Sequence, residues 1–158
     1  MSVLDNVAAG ALFGRGGGGR SLDVARQTAH RLLPLGRLGG KEAMPAGSLT
    51  LSERKRLEMV RALATGPRLL LLDEVMAGLT PAEAAEMVTV VRQMRAEFNL
   101  TILLIEHNVR LVMELAQQVT VLNHGIVIAS GPPAEVVTNA DVVKAYLGER
   151  WAAAGPRA

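Results

Sequence analysis

The chain has 158 residues, 49% of them apolar, 20% charged and 3% aromatic, with no cysteine. That length suits one domain with a real core, and the missing cysteine excludes disulfides, thiolate zinc sites and a cysteine nucleophile. The net charge of +2 is divided as +4 over residues 1–80 and −2 over 81–158, too small an excess to mark a nucleic-acid binder.

In chain order, Val3, Leu4, Val7, Ala8, Ala11 and Leu12 recur with helical spacing, so residues 3–12 are expected to form a helix. The glycine-rich run 14–20 breaks it as a loop. Ser21 and Asp23 can cap a second helix reaching about residue 33, where Pro34 and Gly36 end it. Gly39, Gly40, Pro45 and Gly47 punctuate a further loop, so residues 1–48 read as a small helical region. A third helix begins near Thr50 or Ser52, carries Leu57, Val60, Leu63 and Ala64 on one side, and stops at Gly66-Pro67. Residues 68–73 form a short aliphatic run that reads as a strand buried on both faces. Thr80, Pro81 and Glu83 supply a hydroxyl cap, a proline at the first helical position and a glutamate at the third, opening a helix to about residue 97. The aliphatic run 100–105 follows directly, and strand, helix, strand at this spacing predicts a βαβ unit with parallel strands and a right-handed crossover. Another helix, about 108–117, leads to a hairpin over 119–122 and 126–128, turned by Asn123, His124 and Gly125. From Pro132 two short helical pieces are expected, ending at Leu147-Gly148, and the tail from Ala152 should fray. Met87, Met94 and Met113 fall at apolar helix positions and read as core. No apolar run approaches the ~20 residues of a membrane span, and the N-terminus lacks a signal peptide's basic-then-apolar order.

Parallel strands put their carboxyl ends on one edge of the sheet, where ligands of open α/β folds bind. The first aliphatic run exits into Asp73-Glu74 and the second into Glu106-His107, so three carboxylates and an imidazole are expected to converge there. For Asp73-Glu74 alone an ordinary charged strand exit is the simpler reading; the repetition at the second strand favours a site. The set suits phosphoryl chemistry. An aspartate closing an aliphatic strand holds Mg²⁺ in P-loop NTPases, the next carboxylate can deprotonate an attacking water, and a neutral imidazole can contact the terminal phosphate. Hydrolysis at a His/Asp/Glu metal centre competes, but the histidines are His30, His107 and His124, and no His-x-x-x-His pair exists. Residues 14–21 match phosphate-loop spacing with Arg20 in place of lysine. The preceding segment has helical spacing, and a guanidinium does not replace the compact loop ammonium, so this reads as a glycine loop. Arg54, Lys55 and Arg56, with Arg61 and Arg68, read as a solvated helix face, there being one Trp, one Tyr and two Phe to stack on bases.

Leu69-Leu-Leu-Leu-Asp73-Glu74, Ala77-Gly-Leu-Thr80 and Ile105-Glu-His107 resemble the Walker B, D-loop and switch-histidine motifs of ABC-transporter ATPases. Arg56-Leu-Glu-Met-Val-Arg-Ala-Leu-Ala64, Glu106-His-Asn-Val-Arg-Leu-Val-Met113, Val121-Leu-Asn-His-Gly125, Gly131-Pro-Pro-Ala-Glu-Val136 and Ala145-Tyr-Leu-Gly-Glu149 are similar to the ATP-binding subunits of branched-chain amino-acid importers. The resemblance implies an α/β fold: the C-terminal half of a P-loop NTPase-like parallel sheet, preceded by a small helical subdomain. It divides the chain into a helical portion (1–48), a portion with the signature helix, Walker B, D-loop and switch histidine (49–150), and a tail (151–158). It further implies Glu74 as general base, Asp73 as the residue serving Mg²⁺, His107 as the switch residue, and Gly78 and Thr80 in a loop facing a partner subunit. The family's Leu-Ser-Gly-Gly-Gln signature corresponds to Leu49-Thr50-Leu51-Ser52-Glu53, which makes Thr50, Leu51, Ser52 and Glu53 the implied ATP contacts. Thr50 keeps the hydroxyl, Ser52 replaces a glycine, and Glu53 adds a negative charge near the nucleotide. Val75 stands where the family usually has proline.

The activity so implied is ATP hydrolysis, with ATP and Mg²⁺, coupled to import of branched-chain amino acids or related solutes. The implied partners are a second ATPase subunit and a membrane permease rather than nucleic acid, and the implied location is cytoplasmic, on the inner face of the plasma membrane. The family's phosphate loop, adenine-stacking aromatic and glutamine lid precede its helical subdomain. The chain is therefore expected to be the C-terminal portion of a larger protein and, alone, neither to bind ATP tightly nor to hydrolyse it. The alternatives are a catalytically inactive half-domain that only pairs with another ATPase subunit, and an ABC ATPase acting on nucleic acid.

Overall fold

The computed structural model describes residues 1–15 and 21–147 and forms two compact units, Met1–Glu106 and the residues from His107 onward. In the first unit, helix α1 (Val3–Phe13) starts where Ser2 Oγ accepts the Asp5 amide at 3.0 Å. Helix α2 (Leu22–Leu32) starts at Ser21 in the same way, a hydroxyl satisfying one of the free amides of each first turn. A 3-10 turn over Leu33–Gly36 follows and ends at Arg37 in left-handed backbone, φ 55°. Helix α3 (Leu51–Ala64) packs on both α1 and α2. Val3, Val7, Ala25, Ala29, Leu33 and Val60 are fully buried in this cluster, each aliphatic side chain larger than alanine contributing about 1.5–3 kcal/mol. Gly10 of α1 lies against the Arg61 carbonyl of α3 with no room for a Cβ, and a Cβ on Gly36 would stand 2.5 Å from Val60 Cγ2.

Strands β1 (Leu69–Asp73) and β2 (Thr101–Ile105), joined through helix α4 (Pro81–Phe98), pair in parallel with Leu69 opposite Thr101 and Asp73 opposite Ile105. The expected βαβ unit is present, and Met87 and Met94 of α4 are buried as core. Two-sided burial of the first strand is not observed. Leu70 and Leu72 are buried, whereas Leu69, Leu71, Leu103 and Ile105 are exposed on the other face, Leu71 at 65%. An aliphatic run does not disclose whether one layer or two cover a strand, and the described residues supply one.

Arg54, Arg61 and Arg68 are exposed, as expected of a solvated basic face, but Arg56 departs from it. Arg56 is only 7% exposed, and its Nη1 pairs with Glu86 Oε1 of α4 at 3.0 Å. Arg37 Nη1 reaches the same oxygen at 2.6 Å. Arg56 lies one turn from buried Val60 on the same helix face, and a guanidinium carried inward needs a carboxylate to offset its lost hydration. Its Nε has no hydrogen-bond partner in the structure.

In the second unit, α5 (Val109–Leu115) is capped by Asn108 and is shorter than the predicted 108–117 helix. Strands β3 (Val119–Asn123) and β4 (Ile126–Gly131) form the expected antiparallel hairpin, with Asn123 opposite Ile126. The two residues between them, His124 and Gly125, have φ of 47° and 79°, as a two-residue hairpin turn requires. Helices α6 (Pro133–Val136) and α7 (Ala140–Val142) follow, the latter running into one π-helical turn over Val143–Leu147. Leu111, Val136, Val137 and Val142 make the small core, and Tyr146 donates its hydroxyl proton to the Leu122 carbonyl. The tail 151–158 and most of the glycine loop lie outside the described residues.

Gly10→Ala is expected to cost about 2 kcal/mol by forcing α1 off α3, read as a lowered denaturant midpoint. Glu86→Gln should cost about 2 kcal/mol at neutral pH by leaving Arg56 buried with a neutral partner. The Arg37 hydrogen bond, with the nearby Arg56 charge, holds the Glu86 carboxyl below its ordinary range. That stabilisation is complete above the ordinary glutamate range and is lost as pH falls through the folded value. Stabilities of the wild type and Glu86→Gln, measured by denaturant titration, should therefore converge in acid.

Candidate functional site

Asp73 closes β1 opposite Ile105, with its side chain at the surface. The next residue, Glu74, has left-handed backbone with φ 46°, which costs a non-glycine residue about 1–2 kcal/mol. Hydrogen bonds hold it there. The Glu74 amide donates to the Ile105 carbonyl at 2.9 Å, and the Glu74 carbonyl accepts the Ala77 amide at 3.0 Å and Lys55 Nζ of α3 at 3.0 Å. Glu106, which directly follows β2, turns its Oε1 to the Met76 amide at 3.0 Å. The third carboxylate of the predicted cluster is therefore engaged by the backbone of the turn after β1. His107 is the exposed first residue of the second unit.

Thr50 caps α3 in a reciprocal arrangement: its Oγ1 accepts the Glu53 amide at 3.3 Å, and its own amide donates to Glu53 Oε2 at 3.0 Å. Lys41 Nζ donates to the other Glu53 oxygen. The Lys41 hydrogen bond first, and the Thr50 amide second, hold the Glu53 carboxyl below its ordinary range. Ser52 is buried while Leu51 is exposed. Gly78, φ 76°, passes against this helix start, where a Cβ on it would meet Leu51 Cδ2 at 3.2 Å. Thr80 caps α4 in the same reciprocal way, with Oγ1 accepting the Glu83 amide at 3.3 Å and its own amide donating to Glu83 Oε2 at 2.9 Å. The loop from Asp73 to Thr80 thus joins a strand end to two capped helix starts.

Among the described residues no group of three or more His, Cys, Asp and Glu side chains converges as a metal cage. One exposed strand-end carboxylate fits a Mg²⁺ held mostly by phosphate oxygens and water, the usual mode for that ion beside nucleotides. For a phosphate, the donor set fits at the start of α3, where the first two amides, those of Leu51 and Ser52, have no intrahelical acceptor. Two shallow depressions elsewhere on the surface include none of the predicted site residues. Sequence reasoning did not find Lys41 or Lys55 as partners of the site. The Thr50-to-Glu53 spacing announces the cap, but nothing local announces which lysines meet it.

The family described as branched-chain amino acid ATP-binding cassette transporter matches residues 127–152. The high-affinity branched-chain amino acid transport ATP-binding protein BraF of Pseudomonas aeruginosa is 44% identical over 104 residues, which cover 66% of this chain and 41% of BraF. The corresponding protein LivG of Escherichia coli is 42% identical over the same length. In three dimensions, an ATP-binding cassette of an ABC transporter in its ADP conformation matches with a TM-score of 0.77 at 27% identity, over 94% of this chain and 63% of that one. CbiO1 of Clostridium perfringens, part of the ABC transporter complex cbiONQ, matches with a TM-score of 0.78 at 27% identity, over 90% and 55%. In sequence and in fold the chain is thus similar to the ATP-binding cassettes of ABC transporters. It spans about two fifths of the length of the curated relatives it matches.

Glu106→Ala is expected to release the Met76 amide from its carboxylate acceptor. Hydrogen exchange at Met76 should rise by roughly tenfold, the loss of one charge-assisted hydrogen bond, while exchange in α1 and α2 stays unchanged.

Proposed function

We propose that the chain is the C-terminal part of the ATP-binding subunit of an ABC importer for branched-chain amino acids or a related solute. The observation that carries this reading is the turn after β1: Asp73 and Glu74 at a parallel strand end, with the loop through Gly78 to Thr80 laid against the start of α3. Similarity to BraF and LivG supports the solute class. On this reading residues 1–48 are the helical portion and 49–150 the portion bearing the hydrolytic residues.

Glu74 is the general base. Its carboxylate takes a proton from a water, the oxygen of that water bonds to the terminal phosphorus of ATP, and the bond from that phosphorus to the bridging oxygen breaks, releasing ADP and phosphate. Asp73 would hold Mg²⁺, which when bound offsets charge on the phosphate oxygens. His107 contacts the terminal phosphate as the switch residue. Thr50, Leu51, Ser52 and Glu53 present the start of α3 to nucleotide held by a second ATPase subunit, and Gly78 and Thr80 line the same face. No helix of the described residues is long and apolar enough to cross a membrane, so on this reading the membrane is reached through a permease.

In the transporter assembled with this chain, Glu74→Gln should lower ATP turnover at least about a hundredfold while ATP-dependent association of the subunits persists. Unchanged turnover would remove Glu74 as the base and overturn the reading.

A further inference from the structure

We propose that Lys41 is a positioning residue for the nucleotide-contacting segment: by pairing with Glu53 it holds that segment's carboxylate against the start of α3 and cancels its charge where the terminal phosphate of a nucleoside triphosphate approaches. This rests on the reading of residues 50–53 as that segment. Glu53 is the departure from the family signature that places an anion where an anion must bind. Two donors restrain it, the Thr50 amide at 3.0 Å and Lys41 Nζ. The Glu53 side chain keeps 15% of its surface and that of Lys41 34%, so solvent screens the pair less than it screens an open surface pair.

Lys41 is itself presented on a fixed turn. Its amide donates to the Leu38 carbonyl at 3.2 Å, its carbonyl accepts the Met44 amide at 3.0 Å, and Gly40 before it takes φ 82°. The cation is therefore in place before any ligand arrives. At the start of α3, the Thr50 hydroxyl takes the Glu53 amide, Ser52 is buried, and the amide of exposed Leu51 is the donor left to face a phosphate. An uncompensated Glu53 carboxylate beside it would repel that phosphate; the Lys41–Glu53 pair leaves the segment neutral. Sequence alone gives no sign of this, because Lys41 is twelve residues away on a loop.

The test compares the wild-type chain with Lys41→Met, Glu53→Gln and the double variant. Each is mixed with an intact branched-chain amino-acid ATP-binding subunit arrested by substitution of its own general base, and the dissociation constant with MgATP is measured by sedimentation. Lys41→Met should weaken ATP-dependent association roughly tenfold, and the double variant should return to within about threefold of wild type because the charge needing compensation is gone. Lys41→Met matching wild type, or a double variant as weak as Lys41→Met, overturns the proposal. Carbon-13 NMR titration of the Glu53 carboxyl in the chain alone supplies the second measurement. The Glu53 pKa should be higher in Lys41→Met than in wild type, and equal values overturn the pairing itself. If those values differ while the wild-type chain shows no ATP-dependent association, the nucleotide reading is what fails, and the role of Lys41 toward phosphate falls with it.

Discussion

Arg56 carries a guanidinium into the place where α3, α4 and the turn after α2 come together, and the carboxylate that answers this charge ties the three segments to one another. A cation so placed must meet a carboxylate or lose more hydration than packing returns. Glu86 meets it from α4, and Arg37, held in left-handed backbone, meets Glu86 from the turn. The Arg56–Glu86 pair is thereby a directional contact between α3 and α4. The other fixed points of the unit also lie on α3. Gly10 and Gly36 let neighbouring segments approach its Arg61 carbonyl and its Val60 side chain, its first turn carries Thr50 and Glu53, and Lys55 reaches the carbonyl of Glu74.

That last contact matters for the chemistry proposed. Glu74 sits in a backbone conformation that its side chain disfavours, and such residues persist only where their surroundings over-determine them. Ile105, Ala77 and Lys55 each fix one end of the Glu74 peptide units, and Glu106 fixes Met76 just beyond. These contacts fix the point on the chain from which the Glu74 side chain departs.

What could be read from the sequence divides by range. Thr80 was legible as a helix start because a capping box is complete within four residues, whereas the start of α3 was narrowed only to Thr50 or Ser52. The parallel pairing of β1 and β2 was legible because the intervening helix leaves little alternative. The hairpin turn at His124-Gly125 was legible in its glycine. Arg56 was misread, since its neighbours in sequence are basic and its partner is thirty residues on. Glu106 was seen as a member of a cluster of acids, whereas its acceptor role depends on where the Met76 amide points, a property of the folded turn. One-sided burial of β1 was hidden for a related reason: aliphatic residues at consecutive positions satisfy either a covered or a bare second face.

The bare face has a consequence for the behaviour of the chain in solution. Leu69, Leu71, Leu103 and Ile105 form a contiguous oily surface on a sheet of only two strands, each with an outer edge that pairs with no strand among the described residues. Open edges beside exposed aliphatics are templates for strand addition by another molecule of the same kind. The charged residues that bracket the first strand, Arg68 and Asp73, stand as gatekeepers at its two ends but leave its middle unguarded. A further strand added at either edge, or a layer laid on that face, would bury these four side chains.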